Sequence, residues 1–386
     1  MSALLKGGRA THSGQLERWL GKEAVEQMSQ AMRPAGARWY GRPIAVAGVP
    51  GRVYVGADGD FTGKIVTGKF ATGLDYAEQV FKRVNREFSK WSREQALTLN
   101  TGFPGGLTDL ISAAATAGKR RAFLYQKVGV AGSVTGQTSS LWQSGNTPGA
   151  GGAASAAPGG RAPTSATTGA MPFTNPTSPQ TQHIVSANPI ATVVNTTLLL
   201  YDRIFDVAKT MNSTGTEAVT GVPTRYASTT GGAADSAENN ILFVEGQTVL
   251  PATAHNWTTC LYTDQAGNTG HTLPSITGNA SNAAQRLDMP ISNWFATLAS
   301  GDSGISALTQ MQCSALVATG TINFVMGHVL AWFPHPIINQ VCAYDGVTTA
   351  LGCERIFDNA CLAFLEAVRP TTTATTYTGT ISTVSN

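Results

Sequence analysis

Six histidines, His12, His183, His255, His271, His328 and His335, are the side chains of this sequence best suited to move protons or hold a metal. They are scattered without HxH, HxxxH or HExxH spacing, so no pair falls on one face as zinc ligands do. His328 lies on the apolar parity of its strand, which predicts a satisfied core histidine. Ser303, in Gly301-Asp302-Ser303-Gly304, lacks the GxSxG frame of a nucleophile elbow and reads as a turn. Asp302 would need a second carboxylate across a cleft to hydrolyse a glycosidic bond. Asp58, Gly59 and Asp60 resemble the start of a calcium loop, but the later ligands and the closing Glu are missing, so they too read as a turn. The glycine-rich stretches match neither GxGxxG nor GxxxxGK[ST]. Cys260, Cys313, Cys342, Cys353 and Cys361 are odd in number and contain no CxxC pair, which predicts buried free thiols, with a disulfide among the last three left open. The expectation is a non-enzyme with no catalytic residues, no cofactor and no metal. Trp142, Trp257, Trp294 and Trp332 would make a sugar-stacking platform if they faced outward; within strands they read as core or interface anchors.

Composition points the same way. At 386 residues the chain has room for two or three domains, yet charged residues make up 13% of it. Scarce lysine beside abundant Gly, Ala, Ser and Thr suits a surface that other protein covers. No run of eighteen apolar residues exists, so no membrane span is predicted, and the first residues lack an apolar core of signal-peptide length. The net charge of +3 is unevenly spread: residues 1–127 hold 19 Lys and Arg against 10 Asp and Glu, a balance of +9, and the remainder 7 against 13, a balance of −6. A basic front and an acidic back would attract each other between copies, or the front would sit near genomic nucleic acid.

Four regions must position these residues. Residues 1–104 read as a basic α+β module: a helix from Ser13 with Leu16 and Trp19 on its apolar side, a hairpin or extended loop over 42–70 with residues 57–60 at a turn, and a long helix from Asp75 whose apolar face ends at Trp91. The opposite face of that helix carries Arg83, Arg86 and Lys90, interspersed with glutamates, which favours a protein-facing or solvated helix over a nucleic-acid site. Residues 105–143 read as a connecting helix, Leu107 to Ala117, and a strand, Ala122 to Val128, with Arg120 and Arg121 charging the helix C-terminus. Trp19, Arg83, Arg86, Lys90, Trp91, Arg120 and Arg121 are the candidate interface residues. Residues 144–180, rich in Gly, Ala and Pro, read as a linker in a monomer or as an arm laid along neighbours in an assembly.

Residues 181–386 alternate like strands separated by long loops, which predicts an antiparallel β-sandwich or jelly-roll-like body. The clearest alternation runs through Ile305, Ala307, Met311 and Cys313, and resumes after the turn Ala318-Thr319-Gly320 with Ile322, Phe324, Met326, Leu330 and Trp332 inward. The two runs read as an antiparallel pair, each with one wet face, stopped by Pro334 and Pro336. The tail Tyr377-Thr-Gly-Thr-Ile-Ser-Thr-Val384 reads as a final edge strand.

Over residues 107–386 the phrases SLWQSGNTPGAG (140–151), ATTGAMPFTNP (166–176), LLLYDRI (198–204), GDSGI (301–305), GTINFVMGHVLAWFP (320–334) and DNACLAFLE (358–366) resemble structural proteins of tailed bacteriophages. That resemblance implies a non-enzymatic, self-assembling virion subunit that forms or binds the capsid shell. Its partners would be its own copies and other virion proteins, and it would assemble in the host cytoplasm. The order helix, extended loop, long helix in the first hundred residues also resembles the N-terminal arm, extended loop and spine helix of a major capsid protein. A glycan-binding adhesin or tail-fibre-associated protein is the remaining alternative.

Overall fold

The computed structural model describes residues 39–46, 49–56, 103–130, 136–347, 352–368 and 374–386. The chain divides into two compact units, residues 1–99 and 100–386. In the first, β1 (Trp39–Val46) and β2 (Val49–Gly56) form an antiparallel hairpin. This hairpin lies earlier in the chain than the hairpin or extended loop expected over 42–70, whose turn at 57–60 lies outside the described residues, as do the helices expected from Ser13 and Asp75.

The second unit is an antiparallel β-sandwich. It opens with α1 (Gly106–Ala115), which packs Leu110 and Ala113 inward. β3 (Arg120–Val128) follows and already contains Arg120 and Arg121, so these are strand residues and not the charged end of the helix. The helix stops earlier than expected because Thr116 turns extended and its N–H is satisfied by the Ala113 carbonyl. The remaining principal strands are β4 (Gln137–Ser140), β5 (Gln182–Ala187), β6 (Thr196–Thr210), β7 (Asn240–Gly246), β8 (Leu261–Asp264), β9 (Ile305–Met311), β10 (Thr321–His335), β11 (Leu362–Val368) and β12 (Thr376–Ser385).

One sheet, in the order β7-β10-β6-β11-β4, is the middle layer. Along β6, Leu199 and Tyr201 join one apolar core with Trp257, Tyr262 and Leu308, while Leu198 and Leu200 join another with Phe123, Tyr125 and Ile381. Both faces of the middle sheet are thus covered, one by the sheet of β8 and β9 and the other by the sheet of β5, β12 and β3. That is why β6 and β10 are buried along nearly their whole length.

This layering overturns four expectations. β9 and β10 do not pair with each other: β9 lies between β8 and Glu217–Ala218, and β10 between β7 and β6. A strand buried on both faces is most stable with a hydrogen-bonded neighbour on each side, so β10 takes a central place and the 312–320 segment carries the chain across to it. The face of β10 expected to be wet is buried, with Asn323 and Val325 fully enclosed. The tail strand β12 is central and not an edge, because both β3 and β5 pair with it. Pro334 lies within β10 and does not end it: β7 begins opposite His328, so beyond that point β10 has β6 alone as a neighbour and one side of the strand is free to take a residue without an N–H. The turn at 318–320 is as expected, with positive φ at Ala318 and Gly320.

Residues 144–180 run as an irregular segment along the body of their own chain. The Trp142 indole N–H donates to the Gly152 carbonyl at 2.9 Å, and Ala156 bridges Ala208 of β6. Farther on, Arg161 forms a two-pronged ion pair with Asp206, 2.8 Å from Nε to Oδ1 and 3.0 Å from Nη2 to Oδ2.

Candidate functional site

The charged residues of β6 do not form a site open to a ligand. Arg203 is fully buried and binds Asp206 and Glu245 at 2.7 Å each, and Asn323 donates to the same Glu245 oxygen at 2.9 Å. Trp142 covers the guanidinium, 4.7 Å from its ring centroid. Burial opposes the charge of Arg203, but Glu245 and Asp206 outweigh it and hold the group above its ordinary range. Asp202 is clamped by Arg225 through two 2.8 Å bonds and accepts the Cys361 N–H at 2.8 Å. These contacts fasten strands and the 144–180 segment together; they leave no reacting atom exposed.

A different region is open. The β7 start, the 292–298 segment, Asp302 and Ser303, the middle of β10 and Glu354 surround a cleft of about 810 Å³. Two breaks in register along β10, at Met326/Gly327 and at Val329/Ala331, rotate the strand, so Phe333 enters the core and Trp332 turns out. Trp332 is 42% exposed and stands edge-on to Trp294, ring centroids 4.9 Å apart at 75°. Phe295 is exposed beside them. The 292–298 segment is tied to β7 through the Ala296 N–H and Leu242 carbonyl at 2.7 Å. Asn239 and Ser292 hold positive φ at its margins, and their N–H groups donate to Ser303 and Gly136.

Beneath the opening, His328 stacks on Tyr226 with centroids 3.8 Å apart. Asn240 donates its amide to the Tyr226 and Ile305 carbonyls, so its oxygen is left to accept from His328 Nδ1 at 2.8 Å. Burial pushes the His328 imidazole down to about 4. It is the satisfied core histidine the strand parity implies. At the far wall Asp302 accepts from the Tyr262 hydroxyl and from His271 Nδ1 at 2.8 Å, and burial raises the Glu354 carboxyl.

Asp264, His271 and Asp302 bring one ligand atom each within 4.8 Å of one another, a spacing a cation could use. The Asp264 oxygens, however, already accept the Ala266 and Asn268 N–H groups and the Asn268 amide, each at 2.8 Å. His271 joins Asp302 to the strand pair that carries Asp264, 2.8 Å from the first carboxylate and 3.6 Å from the second. All five cysteines are free thiols, and all but Cys342 are buried.

The four tryptophans, read from sequence as core or interface anchors unless they faced outward, fall into two pairs. Trp142 and Trp257 are core; the Trp257 indole donates to Asp288 at 2.9 Å, beside His255 at 2.8 Å from the same oxygen. Trp294 and Trp332 meet at the cleft. Among the interface candidates, Arg120 is exposed and Arg121 caps the Thr174 and Asn175 carbonyls, while Trp19, Arg83, Arg86, Lys90 and Trp91 lie outside the described residues. Asn239, Asn293 and Phe295 at the cleft carried no sequence signal, since only the fold brings residues around 240, 295 and 330 together.

No protein-family model and no curated protein matches the chain. Among solved structures, that of infectious bursal disease virus Gt strain is similar over 69% of this chain and 81% of its own, with 7% identity and a TM-score of 0.16. A mutant VP2 protein of the same virus in derived T=1 particles is similar over 69% and 78%, with 8% identity and a TM-score of 0.16. Its VP2 subviral particle gives 69% and 80%, 9% identity and a TM-score of 0.15. These relatives come from virus particles, and superposition this slight carries no argument about the present chain.

Proposed function

We propose that the protein is a structural subunit of a tailed-phage virion, forming or binding the capsid shell through repeated contacts and working by association and not by catalysis. The observation that carries this reading is an anchored apolar patch just beyond β10. Ile337, Ile338 and Val341 are 53%, 52% and 47% exposed, although their backbone is pinned: Asn339 N–H donates to Ala191 at 2.9 Å and Cys342 N–H to Pro189 at 2.8 Å. Aliphatic side chains held rigidly in water are suited to burial against another subunit, at about 1 kcal/mol for each one covered, since about half of each is already buried. The resemblance of residues 107–386 to tailed-phage structural proteins supports the same reading and supplies the virion as the location.

In this proposal, copies of the chain and other virion proteins are the partners, and the basic N-terminal module faces either the acidic body of a neighbour or the genome. The choice between shell subunit, with residues 75–91 as spine helix, and auxiliary protein is decided by the product of assembly. Light scattering and negative-stain microscopy of the purified chain test this: closed shells indicate a major capsid protein, small oligomers a decorating protein. The double variant Ile337→Asp, Ile338→Asp is expected to lower the assembled mass without changing the melting temperature. Assembly that proceeds normally in that variant would remove the patch from the account.

A further inference from the structure

We propose that the Trp294/Trp332 cleft is a binding site for a neutral saccharide, a function separate from shell building. Sugars present one face of C–H groups and a rim of hydroxyls, so their sites combine an exposed aromatic with short hydrogen-bonding side chains. Both are here on a fixed frame. Trp332 projects from a strand whose register breaks aim it outward, and Trp294 braces it edge-on at 4.9 Å. Around them stand Asn239, Asn293 and Ser303, all exposed, and Asp302. The Asp302 carboxylate is oriented by Tyr262 and His271 through Oδ2, and among the described residues no donor is bonded to its Oδ1.

Charge sets the ligand class. The cleft wall includes Asp302 and Glu354 and no lysine or arginine. Carboxylates without a compensating cation repel sialic acids, uronates and sulfated sugars, which leaves neutral hexoses and N-acetylhexosamines. The margins are preset: Asn239 and Ser292 sit at positive φ, held by backbone bonds of 3.0 Å and 2.8 Å to Ser303 and Gly136. A site ordered before binding loses less freedom when it closes on a ligand. A protein partner would also use exposed tryptophans, but a concave wall that sets Asn239, Asn293 and Ser303 beside them fits hydroxyls better than a protein surface.

The test uses the full chain on an array of neutral oligosaccharides of glucose, galactose, mannose and N-acetylhexosamines, with sialylated and sulfated glycans printed beside them. The strongest neutral oligosaccharide is then titrated calorimetrically. Binding to neutral members is expected, weakened at least tenfold by Trp332→Ala and several-fold by Asn293→Ala, with both variants melting near the parent. Asn293 is exposed, so its variant keeps the test decisive if Trp332→Ala fails to fold. No neutral glycan bound at millimolar concentration, preference for the acidic glycans, or binding indifferent to Asn293→Ala would each overturn the proposal. So would loss of oligomer mass in Trp332→Ala without any saccharide binding in the parent, which would make the cleft a protein interface.

Discussion

Glu366 sits in β11 with no exposed surface, accepts the Val130 N–H at 2.8 Å, and is pushed up to about 7 by burial. A carboxyl that holds its proton to about 7 when folded and to 4.5 when unfolded stabilises the fold most below pH 4.5. That contribution is lost as pH rises to 7, by about 3 kcal/mol in total. His328 acts in the opposite sense: its folded value of about 4 lies under the ordinary 6.5, so its share of stability is complete above pH 6.5 and lost as pH falls toward 4. Between pH 4.5 and 6.5 the two slopes oppose, and denaturant unfolding of the native chain is expected to vary little there. Glu366→Gln removes one slope. Its urea midpoint is expected to exceed the parent's at pH 8 and to fall steadily from pH 6.5 to 4.5; a variant whose profile parallels the parent's would refute the assignment.

At the scale of elements, the 144–180 segment and β6 depend on each other through Asp206. Asp206→Ala leaves Arg203 with Glu245 alone and frees Arg161, and is expected to cost roughly 3–5 kcal/mol by urea unfolding. Arg161→Ala removes a half-exposed partner and should cost less, but it should open residues 149–163 to limited proteolysis at points protected in the parent. Neither contact is legible in sequence, because Arg161 and Asp206 lie 45 residues apart and only the fold brings them together. What was legible is local: the two-residue period that marks β9 and β10, the turn at 318–320, the core placement of His328. The sandwich class followed from that pattern. Pairing did not, because which strands adjoin is decided by burial of both faces of the middle sheet, and period alone reports one face. The cleft was legible in half: four tryptophans could be named, but two register breaks in β10 decided that Trp332 would face out, and such breaks leave no mark in hydropathy.

For the whole molecule, residues 100–386 form a compact unit with their own cores. Deleting residues 1–100 is expected to leave a soluble body with an unchanged melting temperature that no longer joins particles. A truncated chain that still co-sediments with particles would show that the contacts of the body, its 337–341 patch among them, suffice without the N-terminal module. The place of β12 bears on when that body can exist at all. Ile381 lies opposite both Phe123 and Ala187, so the strand at 376–385 closes a gap between segments made far earlier. A growing chain on the ribosome has β3 and β5 ready but no strand to seat between them, and each presents an open edge until translation passes residue 385. The sheet of β3, β12 and β5 can therefore close only after residues 376–385 have been made, and any contact that needs the finished body must wait for that step.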